Sequence, residues 1–430
     1  MWTETGAFTT VYSTKEMNVV DQISQFVSSL QTDRVGEFRT YREGQVTLYA
    51  SCFAAMTLHY LGELPRLSQE IREQWANYIL QWQDPADGYF LGPELVKENI
   101  TSPEHNWEVV RMHLIAHVLP ALDLLGVQPS YSLSFAHRFL DIEYLQEWLE
   151  ARDWRKAWLE GNNLLFVGQL LVHLRDIEHQ PNAQQCIDLY FKWLDEQIDP
   201  LTGLWGTHKH LSSRAEAMYG TYHQLLVYFH ENHPIPFPEQ LMDSTLSVQE
   251  LGGGFSPSGG GGACEDVDAI DILVNLYQRY DHERPKTRRA LRRARVSVLK
   301  RLAPEGGFVY RWRAPFIHMS IPRTRVPANT AHLFATWFGV HTLALLAEVL
   351  TDEAALVHDW QFNRVLSMGW HQPWDRDQHL LSEADWRAEL EIPYGWHDFR
   401  RLTRAVVWKS KSVVRPILKP VVRKLSRLFV

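Results

Sequence analysis

The sequence predicts an all-α protein, an (α/α)6 toroid in which about six helical hairpins close into a ring. A glycine turn beside an aromatic residue recurs along the chain, as DGYF at 87–90, TGLWG at 202–206, LGGGF at 251–255 and EGGF at 305–308. A polar loop and then an apolar helix pattern follow each turn, and signals for β-strands are scarce. Paired helices that bury one another favour two layers, with the apolar helices inside.

Six apolar segments are predicted as inner helices, at 45–62, 107–125, 161–177, 213–231, 264–280 and 329–350. Each interval leaves room for one amphipathic outer helix. These outer helices are predicted at 16–31, 66–83, 133–151, 183–198, 237–250 and 287–302. The alternative is an open solenoid, whose terminal units should be polar caps. The first unit, QVTLYASCFAAMTLHYLGEL at 45–64, is not such a cap, so we expect a closed ring.

Composition indicates a globular protein with a sizeable core, since 45% of the 430 residues are hydrophobic and 22% are charged. The three cysteines, Cys52, Cys186 and Cys264, are odd in number and far apart, which favours a reducing compartment over a disulfide framework. The first residues lack a basic segment followed by an apolar run, and no apolar stretch reaches membrane-spanning length. We therefore expect a cytoplasmic protein.

Charge divides the chain into two predicted parts, a toroid domain at 1–396 and a basic amphipathic tail at 397–430. The tail holds ten of the 43 lysines and arginines but only one of the 51 acids, Asp398. The acidic body argues against nucleic-acid binding. In the tail, basic residues alternate with large apolar ones, and Pro416 and Pro420 interrupt a continuous helix. This pattern predicts peripheral attachment to an anionic membrane, with packing on the acidic body as the alternative.

A glycine-rich loop at 252–262 precedes four carboxylates that open one predicted inner helix: Glu265, Asp266, Asp268 and Asp271. Capping and the helix dipole account for one or two acids in a first turn. Four acids beside a glycine loop exceed what a cap needs. Because the loops that enter the inner helices open at one end of a ring, we expect a functional site there.

Other polar and aromatic residues fall near the starts of the inner helices and would converge at the same end of the ring. Each alone is more often a hydrogen-bonded structural group, so their shared position is the evidence. The predicted substrate-binding residues are Asn106, Arg111, Asn162, Asn163, His208, Arg214, Glu216, Tyr219, Tyr222, His223, Asn329, His332 and Trp337.

The segment FRTYREGQVTLYASCFAAMTLHYLGEL and the Gly-Gly-Phe turns resemble the toroid of terpenoid cyclases and protein prenyltransferase β-subunits. Asp266-Val267-Asp268 is similar to the first three positions of the Asp-x-Asp-Asp motif of class II terpenoid cyclases, and Ala269 replaces the last Asp. This resemblance implies an enzyme that cyclises an isoprenoid by protonation. Asp268 would be the acid, and Glu265, Asp266 and Asp271 would tune it. His332 and Asn329 would orient these acids, and aromatic walls that include Tyr219, Tyr222 and Trp337 would stabilise the cation.

No cofactor is expected, and two metal sites are the alternatives. The prenyltransferase resemblance implies zinc held by Asp268 and His332, but Ile270 occupies the position of the cysteine ligand. Asp268 and Asp271 also have the spacing of an Asp-x-x-Asp magnesium site.

The same ring also serves carbohydrate-active enzymes, which are the alternative function. A glycoside hydrolase needs two opposed carboxylates, which Asp268 and Glu216 would supply. A polysaccharide lyase needs a group that takes a proton beside a sugar carboxylate, for which the candidates are Asn162, His208, Arg214 and Tyr219. A ring that binds a ligand without catalysis is the remaining alternative. The expected partner is accordingly a hydrophobic or glycan small molecule.

Overall fold

The computed structural model describes residues 19–256, 261–353, 356 and 358–373. Within these residues the α-helices alternate between an inner and an outer layer. The inner helices are α2 (Leu48–Tyr60), α4 (Trp107–Leu124), α6 (Ala157–Asp176), α8 (Arg214–His230), α10 (Ala263–Arg279) and α12 (Leu333–Val349). The outer helices are α1 (Val19–Ser28), α3 (Gln69–Leu80), α5 (Ile142–Glu150), α7 (Ala183–Gln197), α9 (Pro238–Val248) and α11 (Arg284–Leu299).

The inner helices form a closed ring. Each packs on the next in chain order, and α12 returns to pack on α2. Only isolated β-bridges occur in the described part of the chain. The predicted (α/α)6 toroid is therefore confirmed, including its closure. The division into a toroid at 1–396 and a tail at 397–430 stays a prediction, because residues 374–430 lie outside the described residues.

The two layers differ in burial, as their sequences require. Almost every residue of α12 is buried, because the helix has the ring interior on one side and outer helices on the other. In the outer helix α5, by contrast, only Leu145 and Leu149 are buried, and the rest faces solvent or the layer edge. Side-chain oxygens of Thr47, Asn106 and Ser213 accept hydrogen bonds from free amide groups and so begin α2, α4 and α8.

The recurring glycine turns connect neighbouring hairpins. Gly203 and Gly253 both have positive φ, at 66° and 95°. A Cβ atom on Gly203 would lie 2.5 Å from the backbone nitrogen of Leu241 in α9, and one on Gly253 would lie 2.2 Å from the carbonyl oxygen of Arg293 in α11. Each turn thus places its backbone against the next outer helix, where any side chain would collide.

An irregular segment, residues 360–373, closes the far end of the ring, opposite the starts of the inner helices. The Gln361 amide donates to the Tyr60 carbonyl at 3.2 Å, and the Tyr60 hydroxyl donates to the Gly369 carbonyl. Nothing in the sequence pattern predicts this floor. No helix in the described part of the chain combines the length and apolarity needed to cross a bilayer.

Candidate active site

A cavity of about 520 Å³ opens inside the ring at the end where the inner helices start. Polar and aromatic side chains line it together. The acids are Glu104, Glu216 and Asp268; the imidazoles are His105, His113, His223 and His318; and the rings are Trp158, Tyr310, Phe316, Phe334 and Phe338. Arg155 and Lys156 lie among the lining residues as well. Such a combination of apolar walls and a few convergent polar groups is typical of a small-molecule site.

Asp268, in the second turn of α10, is the buried acid of this cavity. Its side chain is 1% exposed, and its Oδ2 atom has no hydrogen-bond partner among the described residues. Burial raises the pKa of the Asp268 carboxyl well above its ordinary value, and the charges of Glu265, Asp271 and Asp266 raise it further. The neutral carboxylic acid is accordingly the favoured form, with a proton available to a group in the cavity.

Two neighbouring acids are engaged in holding the start of α10. Glu265 accepts hydrogen bonds from the Gly262 amide at 3.0 Å and the Tyr310 hydroxyl at 2.8 Å, and its other oxygen lies 2.7 Å from Arg311. Asp266 accepts from the Phe255 amide at 2.8 Å. These bonds hold both carboxylates in structural contacts. Their negative charges still raise the pKa of Asp268.

Asp271 lies one turn deeper than Asp268 and is fully buried outside the cavity lining. Its Oδ1 accepts from Asn275 at 2.8 Å, and its Oδ2 lies 3.5 Å from His341 Nε2. Burial raises the pKa of its carboxyl, whereas His341 and Asn275 lower it. In the described part of the chain, no three His, Cys, Asp or Glu side chains are grouped so as to hold a metal ion.

Glu216, in the first turn of α8, is the second predicted carboxylate that lines the cavity. Partial burial raises its pKa, with further contributions from the charges of Glu265 and Glu104. The shift is smaller than that of Asp268, because Glu216 keeps access to solvent. As pH rises, Glu216 is therefore the first of the two to ionise.

Neutral imidazoles form much of the cavity wall, and two of the four, His113 and His318, were not predicted from sequence. His113 Nδ1 lies 2.8 Å from the Tyr49 hydroxyl, and His223 Nδ1 lies 2.8 Å from the Tyr219 carbonyl. Burial lowers the pKa of His223 to about 4 and that of His113 well below its ordinary value. The position of His113 on an apolar inner helix was a usable signal. His318, in the short 3-10 turn His318–Ser320, offered none.

Two more predicted residues lie at the cavity or against its wall. Asn162 lines the cavity, and its side-chain amide donates to the Trp158 carbonyl at 3.1 Å. The Tyr219 hydroxyl donates to the Phe255 carbonyl at 2.9 Å, and its ring contacts that of Trp158 at 4.7 Å between centroids. Trp158 thus presents a supported ring to the cavity.

Two residues near the start of α4 lie outside the cavity lining. Asn106 caps the helix by accepting from the amides of Glu108 and Val109. The Arg111 guanidinium lies 3.1 Å from Glu108 and 3.8 Å above the centre of the Tyr89 ring. Both side chains are therefore occupied in local structure.

Three further predicted residues are also separate from the cavity. Asn163 donates to Glu160 at 3.0 Å, and Arg214 donates to Ser247 at 2.9 Å. His208 is exposed in a short turn. The structure does not bring these side chains together with Asp268.

The predicted residues around α12 support the wall from behind. Asn329 has φ of 62° and accepts from the Arg313 amide at 2.7 Å, which shapes a turn. His332 is buried and stacks on Phe316 at 5.0 Å, and burial lowers its pKa to about 3. Trp337 is buried and stacks on Phe338, which lines the cavity, at 4.4 Å. Tyr222 is fully buried in the ring interior, below the cavity.

No known protein-family profile and no curated protein matches this sequence. Solved structures do match, and at this level of similarity those named here show a likeness of fold alone. A polysaccharide lyase has a TM-score of 0.46 and 17% identity over 78% of this chain and 98% of its own. A glycosyl hydrolase of family 88 from Bacteroides vulgatus has a TM-score of 0.44 and 14% identity, over 77% of this chain and 98% of its own. The GH76 α-mannanase BT2949 of Bacteroides thetaiotaomicron has a TM-score of 0.43 and 11% identity, over 78% of this chain and 96% of its own.

The predicted terpenoid-cyclase-like function is wrong. The three solved toroids named above are a polysaccharide lyase, a glycosyl hydrolase and an α-mannanase, which correspond to the alternative stated from sequence and not to a terpenoid cyclase. The Asp-x-Asp resemblance misled because its first acid, Asp266, is buried in an ion pair with Arg301, and because imidazole and carboxyl groups interrupt the aromatic walls.

Proposed function

We propose that this chain is a carbohydrate-active hydrolase that cleaves a glycosidic bond in the ring cavity, with Asp268 as the general acid. The observation that carries this proposal is the Asp268 carboxyl, which is buried in the cavity wall, has a free Oδ2 and has a strongly raised pKa. A general acid must hold its proton at the working pH and have an oxygen free to deliver it.

Asp268 would protonate the oxygen that links two sugar units. The bond between that oxygen and the anomeric carbon then breaks, and its electron pair stays with the leaving oxygen. Positive charge that develops on the sugar ring is stabilised by the carboxylates nearby. Asp268 is left as a carboxylate, and its environment favours prompt reprotonation.

Glu216 is the proposed partner carboxylate. It lines the same cavity, and its smaller pKa shift leaves it ionised under conditions in which Asp268 is still neutral. An ionised Glu216 would take a proton from the water that attacks the anomeric carbon, and would later release it to solvent. Two carboxyl groups whose environments separate their pKa values are the usual basis of such a division of roles.

The remaining lining suits a sugar. The rings of Trp158, Phe334 and Phe338 offer apolar surface to the C–H faces of a pyranose. His113, His223 and Asn162 place nitrogen and oxygen atoms nearby for its hydroxyl groups. Neutral imidazoles serve here as both donors and acceptors.

The geometry supports hydrolysis over elimination. Of the four residues considered for a lyase, only Asn162 lines the cavity. His208 and Arg214 are exposed elsewhere, and the Tyr219 hydroxyl already donates to Phe255. The proposed acid and its partner, by contrast, both line one cavity.

A panel of oligosaccharides, neutral and acidic, tests this proposal. The chain is incubated with each glycan, with and without EDTA, and products are identified by mass spectrometry. The proposal expects shorter glycans whose summed mass includes one added water, formed equally with EDTA. Products that carry a new double bond would identify a lyase instead, and intact glycans throughout the panel would contradict any carbohydrate-active function.

A further inference from the structure

A second cavity, of about 600 Å³, lies at the far end of the ring. The ends of three inner helices contribute His59, Leu124 and His230, and the segment 360–373 supplies much of the rest. That segment separates the two cavities, since Met368 lines the first whereas Trp370 and His371 line the second. The far cavity is therefore distinct from the proposed active site.

Two guanidinium groups, those of Arg72 and Arg364, line the far cavity. Neither Arg72 nor Arg364 makes an ion pair within the described part of the chain, and the buried Arg72 Nε has no hydrogen-bond partner there. Asp123 also lines the cavity; burial raises the pKa of its carboxyl, and the nearby charge of Arg364 lowers it. The two guanidinium groups outnumber this one carboxylate, and the excess positive charge of a concave site attracts an anion.

Two buried polar side chains face the same cavity with unused hydrogen-bonding capacity. His371 is 2% exposed, and both of its ring nitrogens lack a partner among the described residues. Asn363 is 1% exposed; its Nδ2 lies 3.7 Å from Met56 Sδ, and its Oδ1 has no partner in the same part of the chain. Buried polar groups are costly to leave without hydrogen bonds, so their presence beside a cavity indicates a ligand.

We propose that the far cavity binds a hydroxylated organic anion, such as a sugar acid or a sugar phosphate. Arg72 and Arg364 would bind the anionic group, which guanidinium groups recognise through paired hydrogen bonds. The Asn363 Oδ1 would accept from a ligand hydroxyl. His371, held neutral by burial, would donate through one nitrogen and accept through the other. This proposal does not rest on the proposed hydrolase activity.

Isothermal titration of the full chain with glucuronate, glucose 6-phosphate and glucose tests the proposal. We expect at least one of the two anions to bind, and glucose to bind at least ten times more weakly. Arg364→Gln, an exposed position that should tolerate the change, is expected to weaken anion binding about tenfold, a loss of about 1.4 kcal/mol. Asn363→Asp is expected to weaken it further by placing negative charge beside the anion.

Two controls locate the binding. Arg325→Gln removes an exposed guanidinium outside the cavity, and Glu216→Gln alters the other cavity; both should leave the dissociation constant unchanged. A preference for glucuronate or for glucose 6-phosphate identifies the anionic group and supports the proposal in either case. Absence of binding by both anions, equal affinity for glucose, unchanged affinity in Arg364→Gln, or weakened affinity in Glu216→Gln would each overturn it.

Discussion

Arg301 Nη1 lies 2.5 Å from Asp266 Oδ2, and both side chains are almost completely buried. The other Asp266 oxygen accepts from the Phe255 amide, so this carboxylate connects α10 to the glycine-rich loop and to the chain after α11. Asp268, only two residues further, has a free oxygen at the cavity wall. Two acids of one short motif therefore have different tasks, structural support for Asp266 and the proposed proton transfer for Asp268.

Loss of the ion pair should destabilise the ring. Arg301→Met would leave the Asp266 carboxylate buried and unpaired, and we expect the free energy of unfolding to fall by about 3–5 kcal/mol. Urea unfolding followed by circular dichroism measures the change. The control Arg325→Gln removes an exposed guanidinium and should cost less than about 0.5 kcal/mol. Equal stability of the Arg301 variant and the wild type would show that the pair contributes nothing.

Asp268→Asn should remove activity while keeping the fold. The amide cannot protonate the leaving oxygen, so we expect turnover of a natural glycan to fall by about 10²–10⁴-fold. A synthetic aryl glycoside with a good leaving group needs no such proton, and its turnover should fall far less. Both rates are measured on the same preparation. Equal losses for the two substrates would argue that Asp268 acts in some other way.

The rate should depend on pH on both sides of an optimum. Raised pH removes the proton from Asp268, and lowered pH protonates Glu216, whose pKa is also raised. Activity is therefore lost above the Asp268 pKa and below the Glu216 pKa. The residual activity of Asp268→Asn on the aryl glycoside should retain the acid limb and lose the alkaline limb. If that variant still lost activity at high pH, the alkaline limb would belong to a group other than Asp268.

The same carboxyl should make stability depend on pH. The folded-state pKa of Asp268 lies above its unfolded value. The contribution of this carboxyl to the free energy of unfolding is therefore fully favourable below about pH 4 and is lost as pH rises. Asp268→Asn lacks this loss, so it should match the wild type in acid and exceed it by about 1 kcal/mol or more at neutral pH. Urea unfolding from acid to neutral pH tests this. A constant difference between the two proteins would contradict the raised pKa.

Local pattern was enough to predict the helices. The inner segment predicted at 107–125 is α4, Trp107–Leu124, and the outer segment at 183–198 is α7, Ala183–Gln197. Apolar periodicity and glycine turns specify such elements because each hairpin buries itself against its neighbours. The floor at 360–373 was missed because it is irregular, and its contacts, such as that of Gly369 with Tyr60, join residues far apart in sequence.

The site was predictable in position but not in detail. Placement at the starts of inner helices found Asp268, Glu216, His223 and Asn162, which line one cavity. The same criterion also selected residues such as Arg111, whose side chains lie outside the cavity lining. The difference depends on partners such as Arg301, 35 residues beyond Asp266, which no local pattern identifies.

The tail at 397–430 lies outside the described residues, and its membrane attachment stays a prediction from its basic and apolar residues. Removal of residues 400–430 should reduce co-sedimentation with anionic liposomes, because each lysine or arginine near such a surface contributes about 1 kcal/mol. Raised salt should reduce binding of the full chain in the same assay. Equal binding by the truncated and full chains would contradict the prediction.

Hydrolysis of a responsive glycan in water labelled with heavy oxygen tests the central claim most directly. The wild type and Asp268→Asn are compared by mass spectrometry of the sugar that forms the new reducing end. The proposed mechanism predicts one labelled oxygen in that sugar from the wild type, and at least a hundredfold less product from Asp268→Asn. Unlabelled, unsaturated product, or equal labelled product from both proteins, would contradict it.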